Sequence, residues 1–325
     1  MFRGCLGKMR ECFIISVLCF IPLVAHANIL PLYDALRATY TACVGIDDEL
    51  HDLKVMAGIN TAVTAVGTAA AGGATVVGLV KTNTDKQIAE LEKLLEKLRQ
   101  IDNQRRAAGT AANNDGLMIA MAESFANHQN DIDVQQQTLR QEIEEKTKKS
   151  KSLGNWRTGL IATSTVTNVS GAIIAGTGQS TGDLQAMIDE CKTAIANLRQ
   201  SIGQARLNGE DVSEARDILA LCDEYNYVDI SKITNRAKGA MISSIVGATT
   251  GAVGTVTSAM ANSNKIRNDN TDSGKNKEKN LNTAANVLSG ATAAASATAT
   301  VFNATQISAI KKVASVAEKC TGVLK

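Results

Sequence analysis

The sequence predicts an all-α protein made of two elongated antiparallel helical hairpins that form a weak internal repeat. Three observations carry that prediction. Proline nearly vanishes, with Pro22 and Pro31 the only two and none from 32 to 325. A β-rich fold of this length would use proline in its turns and β-branched or aromatic runs in its strands. Aromatic residues are only 3% of the chain, too few large side chains to fill a wide globular core. Finally, four long stretches, 55–80, 158–182, 239–262 and 281–310, carry no charge and consist mainly of Ala, Gly, Val, Ser and Thr.

Those stretches set the packing expectation. Each glycine in a helix costs roughly 1 kcal/mol relative to alanine, so a compensating gain from close backbone approach is expected. Gly58, Ala65 and Gly72 recur every seven residues, and Gly239, Ser243, Gly247 and Gly251 every four. Gly58, Gly72, Gly239, Gly247 and Gly251 are therefore the expected helix-packing glycines. Such stripes suit either a membrane helix or a tight soluble helix pair. The residues that carry most insertion energy are scarce, with only Ile59 and Leu79 from the Leu, Ile and Phe set in 55–80.

The first 27 residues read as an export signal. Arg3, Lys8 and Arg10 precede the apolar run FIISVLCFIPLVA, and Ala25-His26-Ala27 is a small-x-small cleavage site. The remainder has no net charge, since the +2 of the whole chain is carried by this segment. Nothing in that balance steers the protein toward nucleic acid.

Residues 32–43 place Tyr33, Leu36, Tyr40 and Cys43 at helical spacing, and Gly45 ends that short helix. Asp47, Asp48 and Glu49 suit the first turn of the next helix, which should run through 55–80 toward Arg106. From Lys81 the pattern becomes that of a coiled coil. Ile88, Leu91, Leu95 and Leu98 alternate in steps of three and four, and Met118, Phe125, Ile132 and Leu139 recur every seven. With a turn at 107–116, this predicts a coiled-coil extension over 82–150 whose arms fold on each other or self-associate. Ser180 or Thr181 should cap a helix over 183–206, Gly209 should end it, and Asp211 with Glu214 should open the next.

The order of segments then starts over. A cysteine, a small-residue helix, a polar tip and a returning small-residue helix occur twice. The expected domains are the signal at 1–27, a first hairpin unit at 28–206 and a second at 207–325, the latter with its tip in the loop 268–280. Cys43, Cys191, Cys222 and Cys320 remain after cleavage, an even number in an exported chain. From Cys43 to Lys81 is 38 residues and from Asn155 to Cys191 is 36; from Cys222 to Lys265 is 43 and from Asn280 to Cys320 is 40. Matched arms predict Cys43–Cys191 and Cys222–Cys320, with Cys191–Cys222 the alternative bridge and four free thiols a further one.

No catalytic constellation is found. His51 and His128 fall in separate regions, and the chain has no HExxH and no phosphate-binding loop with its lysine. The expectation is a non-enzyme with no cofactor and no metal. The function expected first is an exported scaffold, spacer or adhesive protein. It would bind a protein partner or itself through the coiled-coil arm. The rival is a membrane-inserting or pore-forming protein using 55–80 and 239–262.

Overall fold

The computed structural model describes residues 32–112, 119–178, 181–267 and 271–324, and their side chains other than those of 105–131 and 267. The signal segment 1–27, Met118, the Phe125 side chain and the arm's tip at 113–118 lie outside the described residues. Of the described residues 95% are helical and none is in a strand. The helices are α1 (Leu32–Cys43), α2 (Ile46–Ala112), α3 (Ile119–Ile173), α4 (Gly182–Leu207), α5 (Ser213–Cys222), α6 (Ser231–Ala261), α7 (Asn264–Arg267) and α8 (Asp272–Leu324). A single π-turn, Ile174–Gly178, continues α3, and a 3₁₀ turn, Asp223–Tyr227, follows α5.

Local chemistry explains most helix ends. At Gly209, with φ of +82°, the chain turns out of α4. The Gly209 N–H bonds to the Arg206 carbonyl and the Glu210 N–H to the Ala205 carbonyl, the paired bonds of a Schellman cap. Asp211 accepts from the Ser213 N–H at 3.0 Å, and Asp229 accepts from the Ser231 N–H at 2.8 Å, opening α5 and α6. The Thr181 hydroxyl does not cap α4; it meets the Thr234 hydroxyl at 2.7 Å. The first part of the turn expected at 107–116 is helical, because α2 runs on to Ala112 through a segment rich in helix-forming alanine, and the rest lies outside the described residues. Most of the loop expected at 268–280 is helix as well. Thr271 accepts from the Gly274 N–H at 3.0 Å and starts α8 there.

By its contacts the chain forms two compact units, a division different from the two sequence copies. The first comprises residues up to 55, 180–235 and 306–325; the second comprises 56–179 and 236–305. The first unit has an apolar core of ordinary kind. Ala35 of α1 packs with Leu198, Ile202 and Ala205 of α4 and with Val212 and Ala215. The buried face of α1 is Ala35, Thr39 and Cys43, whereas Tyr33, expected on that face, is 74% exposed. Both disulfides belong to this unit. Cys43 pairs with Cys191 and Cys222 with Cys320, with Cα–Cα distances of 4.9 and 4.6 Å. They close loops of 148 and 98 residues, each stabilising by roughly 4–5 kcal/mol in the chain-entropy model.

The second unit is a four-helix bundle of α2, α3, α6 and α8. Helix α2 runs antiparallel to α3, as Gly67 with Ser164 and Asp85 with Ser150 show, and to α8, as Asn60 with Asn303 and Thr82 with Asn286 show. Helix α6 runs antiparallel to the same two, through Thr158–Ser258 and Thr250–Thr292. Buried positions alternate in steps of three and four along each helix. On the part of α6 in the second unit they are Ala237, Ala240, Ser244, Gly247, Gly251, Gly254, Ser258 and Ala261, after Ile233 in the first unit. Over 237–261 α6 puts no large apolar side chain in that seam.

Candidate functional site

The interior of the bundle is the polar part of the second unit. Along α8 the fully or nearly fully buried residues include Asn282, Ser289, Thr292, Ser296 and Asn303. Facing residues on the other helices complete a column of amides and hydroxyls. At one end Asn60 donates to Asn303 at 3.1 Å, and Thr300 next to it donates to Thr64 at 3.0 Å. In the middle Asn168 donates to Ser296 at 2.8 Å, and Ser164 donates to the Gly67 carbonyl at 2.8 Å. Thr250 and Thr292 meet at 2.9 Å one layer further on.

Arg157 occupies the other end with no exposed surface. Its Nε donates to Ser258 at 3.1 Å, one terminal nitrogen to Asn286 at 3.0 Å and the other to Asn282 at 3.1 Å. The guanidinium thus ties α3 to α6 and α8 by neutral acceptors. Lys81, also fully buried, is differently matched: Asp85 lies at 2.6 Å and Glu278 at 3.4 Å. Asp85 also accepts from Ser150. A buried cation needs such partners, because desolvation costs several kcal/mol per ion.

Glycines admit the polar knobs. A Cβ at Gly247 would meet the Asn168 amide at 2.8 Å, and one at Gly239 would meet the Phe302 ring at 3.0 Å. Gly251 faces Thr165 and Thr292 in the same way. Gly58 and Gly72 are different, since a Cβ there would meet nothing within 4 Å. On α2 the notches are instead Gly67, against Thr167 and Ser296, and Gly78, against Asn286. The stripe Gly58, Ala65, Gly72 faces outward, because the side that meets Asn, Ser and Thr from neighbouring helices is the buried one.

The outside of the bundle is apolar where the inside is polar. Ile59, Val66, Val76 and Leu79 on α2, Val166 and Ile173 on α3, and Ile242, Val246, Val253 and Val256 on α6 are exposed. The hydroxyls among them are already bonded within their own helices. Thr163 donates to the Gly159 carbonyl, Thr249 to Ile245, Thr257 to Val253 and Thr298 to Ala294. Over 56–80, 158–178, 239–262 and 281–305 no charged side chain interrupts this surface. Three helical stretches, Leu32–Gln104, Ile132–Leu207 and Ser213–Ala261, are long and apolar enough to cross a membrane. Only 33%, 28% and 28% of their apolar windows is buried, so most of that surface points outward.

Beyond the belt α2 and α3 continue with charged faces. Leu95 and Ile132 are buried there, and Ile88, Leu91, Leu98 and Leu139 are half-buried. Lys148 and Glu144 pair at 2.8 Å on the surface of this part, which holds the Glu144 carboxyl below its usual range. In the first unit burial, with the Asp47 charge added, pushes the Tyr225 phenol well above its usual range.

Neither Arg157 nor the buried amides stood out in the sequence. The signal that would have found them is the α8 register, in which Asn282, Ser289, Thr292, Ser296 and Asn303 share one seam. No protein-family model, curated protein or solved structure matches the chain.

Proposed function

We propose that this chain is an exported, non-enzymatic protein whose second unit inserts in a lipid bilayer. The observation that carries the reading is the inverted distribution of polarity in that unit. Asn, Ser and Thr share the seam with Ala, Gly and the fully buried Ile161, while most of the Val, Ile and Leu of the belt face out. In water this arrangement forgoes the usual gain of about 25 cal/mol per Å² of apolar surface buried. In lipid the outer face is solvated and small residues with interhelical hydrogen bonds hold the helices together. The uncharged belt is about 24 residues long, or about 36 Å at 1.5 Å per residue, against roughly 30 Å of hydrocarbon. Trp156, 66% exposed at its edge, suits the interfacial level where indole rings collect. The export signal expected at 1–27 and the oxidised cysteine pairs suit delivery to an envelope membrane. Carbonate extraction of membranes from the producing cells tests the reading. The protein should stay in the pellet; release into the carbonate supernatant would overturn it.

The arm supplies a second reading, that of a scaffold or adhesive spacer acting through a coiled coil. The observation in its favour is the continuation of α2 and α3 past the belt with Leu95 and Ile132 buried. Deleting 84–150 should then abolish capture of the protein partner and leave the membrane pellet unchanged. Unaltered capture would remove this reading.

A further inference from the structure

We propose that the end of the belt nearer the arm carries a collar of exposed lysines that binds the headgroups of anionic phospholipids. The inference rests on the membrane reading and deepens it by naming the lipid. Contacts between the helices put four segments at one level. Lys81 of α2 meets Glu278 of α8 at 3.4 Å, Asp85 of α2 accepts from Ser150 of α3, and Asn262, just past α6, donates to Thr158 of α3 at 3.2 Å. Each helix therefore leaves the uncharged belt here. The eight residues beyond the belt on each, 81–88, 150–157, 263–270 and 273–280, hold nine Lys and Arg against three Asp and Glu. The eight-residue flanks at the other end, 48–55, 179–186, 231–238 and 306–313, hold six against four.

The inner charges at this level balance, and the excess lies outside. Lys81 and Arg157 are buried, and Asp85 and Glu278 offset them. Both carboxylates contact Lys81. Burial disfavours the charge on Arg157, and the Asp85 carboxylate supports it. Lys275 pairs with Glu92 at 3.2 Å. Lys86 on α2, Lys151 on α3, Lys265 on α7, and Lys277 and Lys279 on α8 are exposed. Among the described residues none of these five is in an ion pair. All four sides of the bundle thus present a free ammonium where the apolar surface ends. At that depth a lysine lays its stem along the apolar surface and carries its charge to the phosphates. Attraction to an anionic leaflet falls off within a Debye length, so lysines at the belt's edge gain from it and those far along the arm do not. Trp156, the only tryptophan of the chain, is exposed within the same segment, and indole rings collect at this level too. The collar's continuity with the uncharged belt favours a lipid surface over a soluble polyanion.

The test reads that one tryptophan. The full processed chain is placed in vesicles of phosphatidylcholine with a minor share of phosphatidylglycerol, and flotation reports insertion. One lipid or the other carries bromine on its acyl chains near the headgroup. Bromine quenches Trp156 on contact, so the two quenching curves give the relative affinity of the lipids for the collar. Phosphatidylglycerol should be preferred by roughly fivefold to tenfold, and added salt should shrink the preference. Lys151→Gln combined with Lys277→Gln and Lys279→Gln should bring the ratio back toward unity. Lys238→Gln, at the other end of the belt, should leave it unchanged. If the triple variant does not fold, the ratio in the unaltered chain and its response to salt still decide. Equal quenching by both lipids in a chain that floats would overturn the collar while the membrane reading stands. A preference that survives the triple substitution would overturn the assignment to these lysines. Failure to float would overturn both readings together.

Discussion

Asn168 and Ser296 bond to each other in both directions, in the middle of a belt without charge. The Asn168 amide donates at 2.8 Å, and the Ser296 hydroxyl shares its one hydrogen between the Asn168 carbonyl oxygen at 3.0 Å and the Thr292 carbonyl at 2.8 Å. Removing Ser296 takes from buried Asn168 its 2.8 Å acceptor and the donor to its carbonyl oxygen, and removing Asn168 leaves the Ser296 hydroxyl with the Thr292 carbonyl at 2.8 Å. Asn168→Ala or Ser296→Ala alone should each cost about 1–3 kcal/mol. A double-mutant cycle read by thermal unfolding in detergent should show coupling of about 0.5–3 kcal/mol. Additive losses would mean that the pair does not act as a unit.

Glycines of the same type should respond in opposite directions. Gly247→Ala pushes a methyl group against Asn168 and should destabilise by about 1–3 kcal/mol. Gly72→Ala enters open space and should stabilise by up to about 1 kcal/mol through helix propensity. Unfolding midpoints of the two variants check this, and equal shifts would contradict the notch assignment.

Cys222→Ser removes the second bridge and should destabilise by roughly 4–5 kcal/mol in the chain-entropy model, mainly in the first unit. Non-reducing peptide mapping should still find Cys43 joined to Cys191. A thiol reagent that labelled Cys43 in this variant would refute the pairing.

Acid should loosen the starts of α5 and α6. The Ser231 backbone N–H, then its hydroxyl, holds the Asp229 carboxyl below its ordinary value of 3.8; Ser213 does the same for Asp211. A carboxyl depressed in the folded state contributes stability above its unfolded pKa. That contribution is lost as pH falls below about 4 toward the folded value. Hydrogen-exchange protection at these two helix starts, taken relative to the intrinsic rate at each pH, should fall in the parent between pH 6 and pH 3. The fall should be smaller in Asp229→Asn at α6.

Much of the fold is legible in the sequence because it rests on chain length and punctuation. Arms of matched length bring Cys43 to Cys191 and Cys222 to Cys320, and Gly209 ends α4 where only a residue free to take positive φ is comfortable. The facing of the helices is harder to read. Small residues lie on both sides of α2, so Gly58, Ala65 and Gly72 looked like an interface. The decision belongs to partners far away in sequence, such as Ser296 against Gly67. Periodicity searches look for apolar stripes, and here the repeating seam is polar. Arg157 was hidden for a related reason, because its three acceptors come from α6 and α8, more than a hundred residues on.

Each disulfide imposes a parity rule on any transmembrane path. Cys43 and Cys191 must meet in one oxidising compartment, so the chain between them crosses a bilayer an even number of times. If α2 leads out across a bilayer and α3 leads back, the rule puts the arm on the opposite side from the cysteines. It would apply equally between Cys222 and Cys320, with α6 and α8 as the passages. On the proposed membrane reading, protease added to one side alone should therefore reach either the cysteine-bearing segments or the arm, and not both.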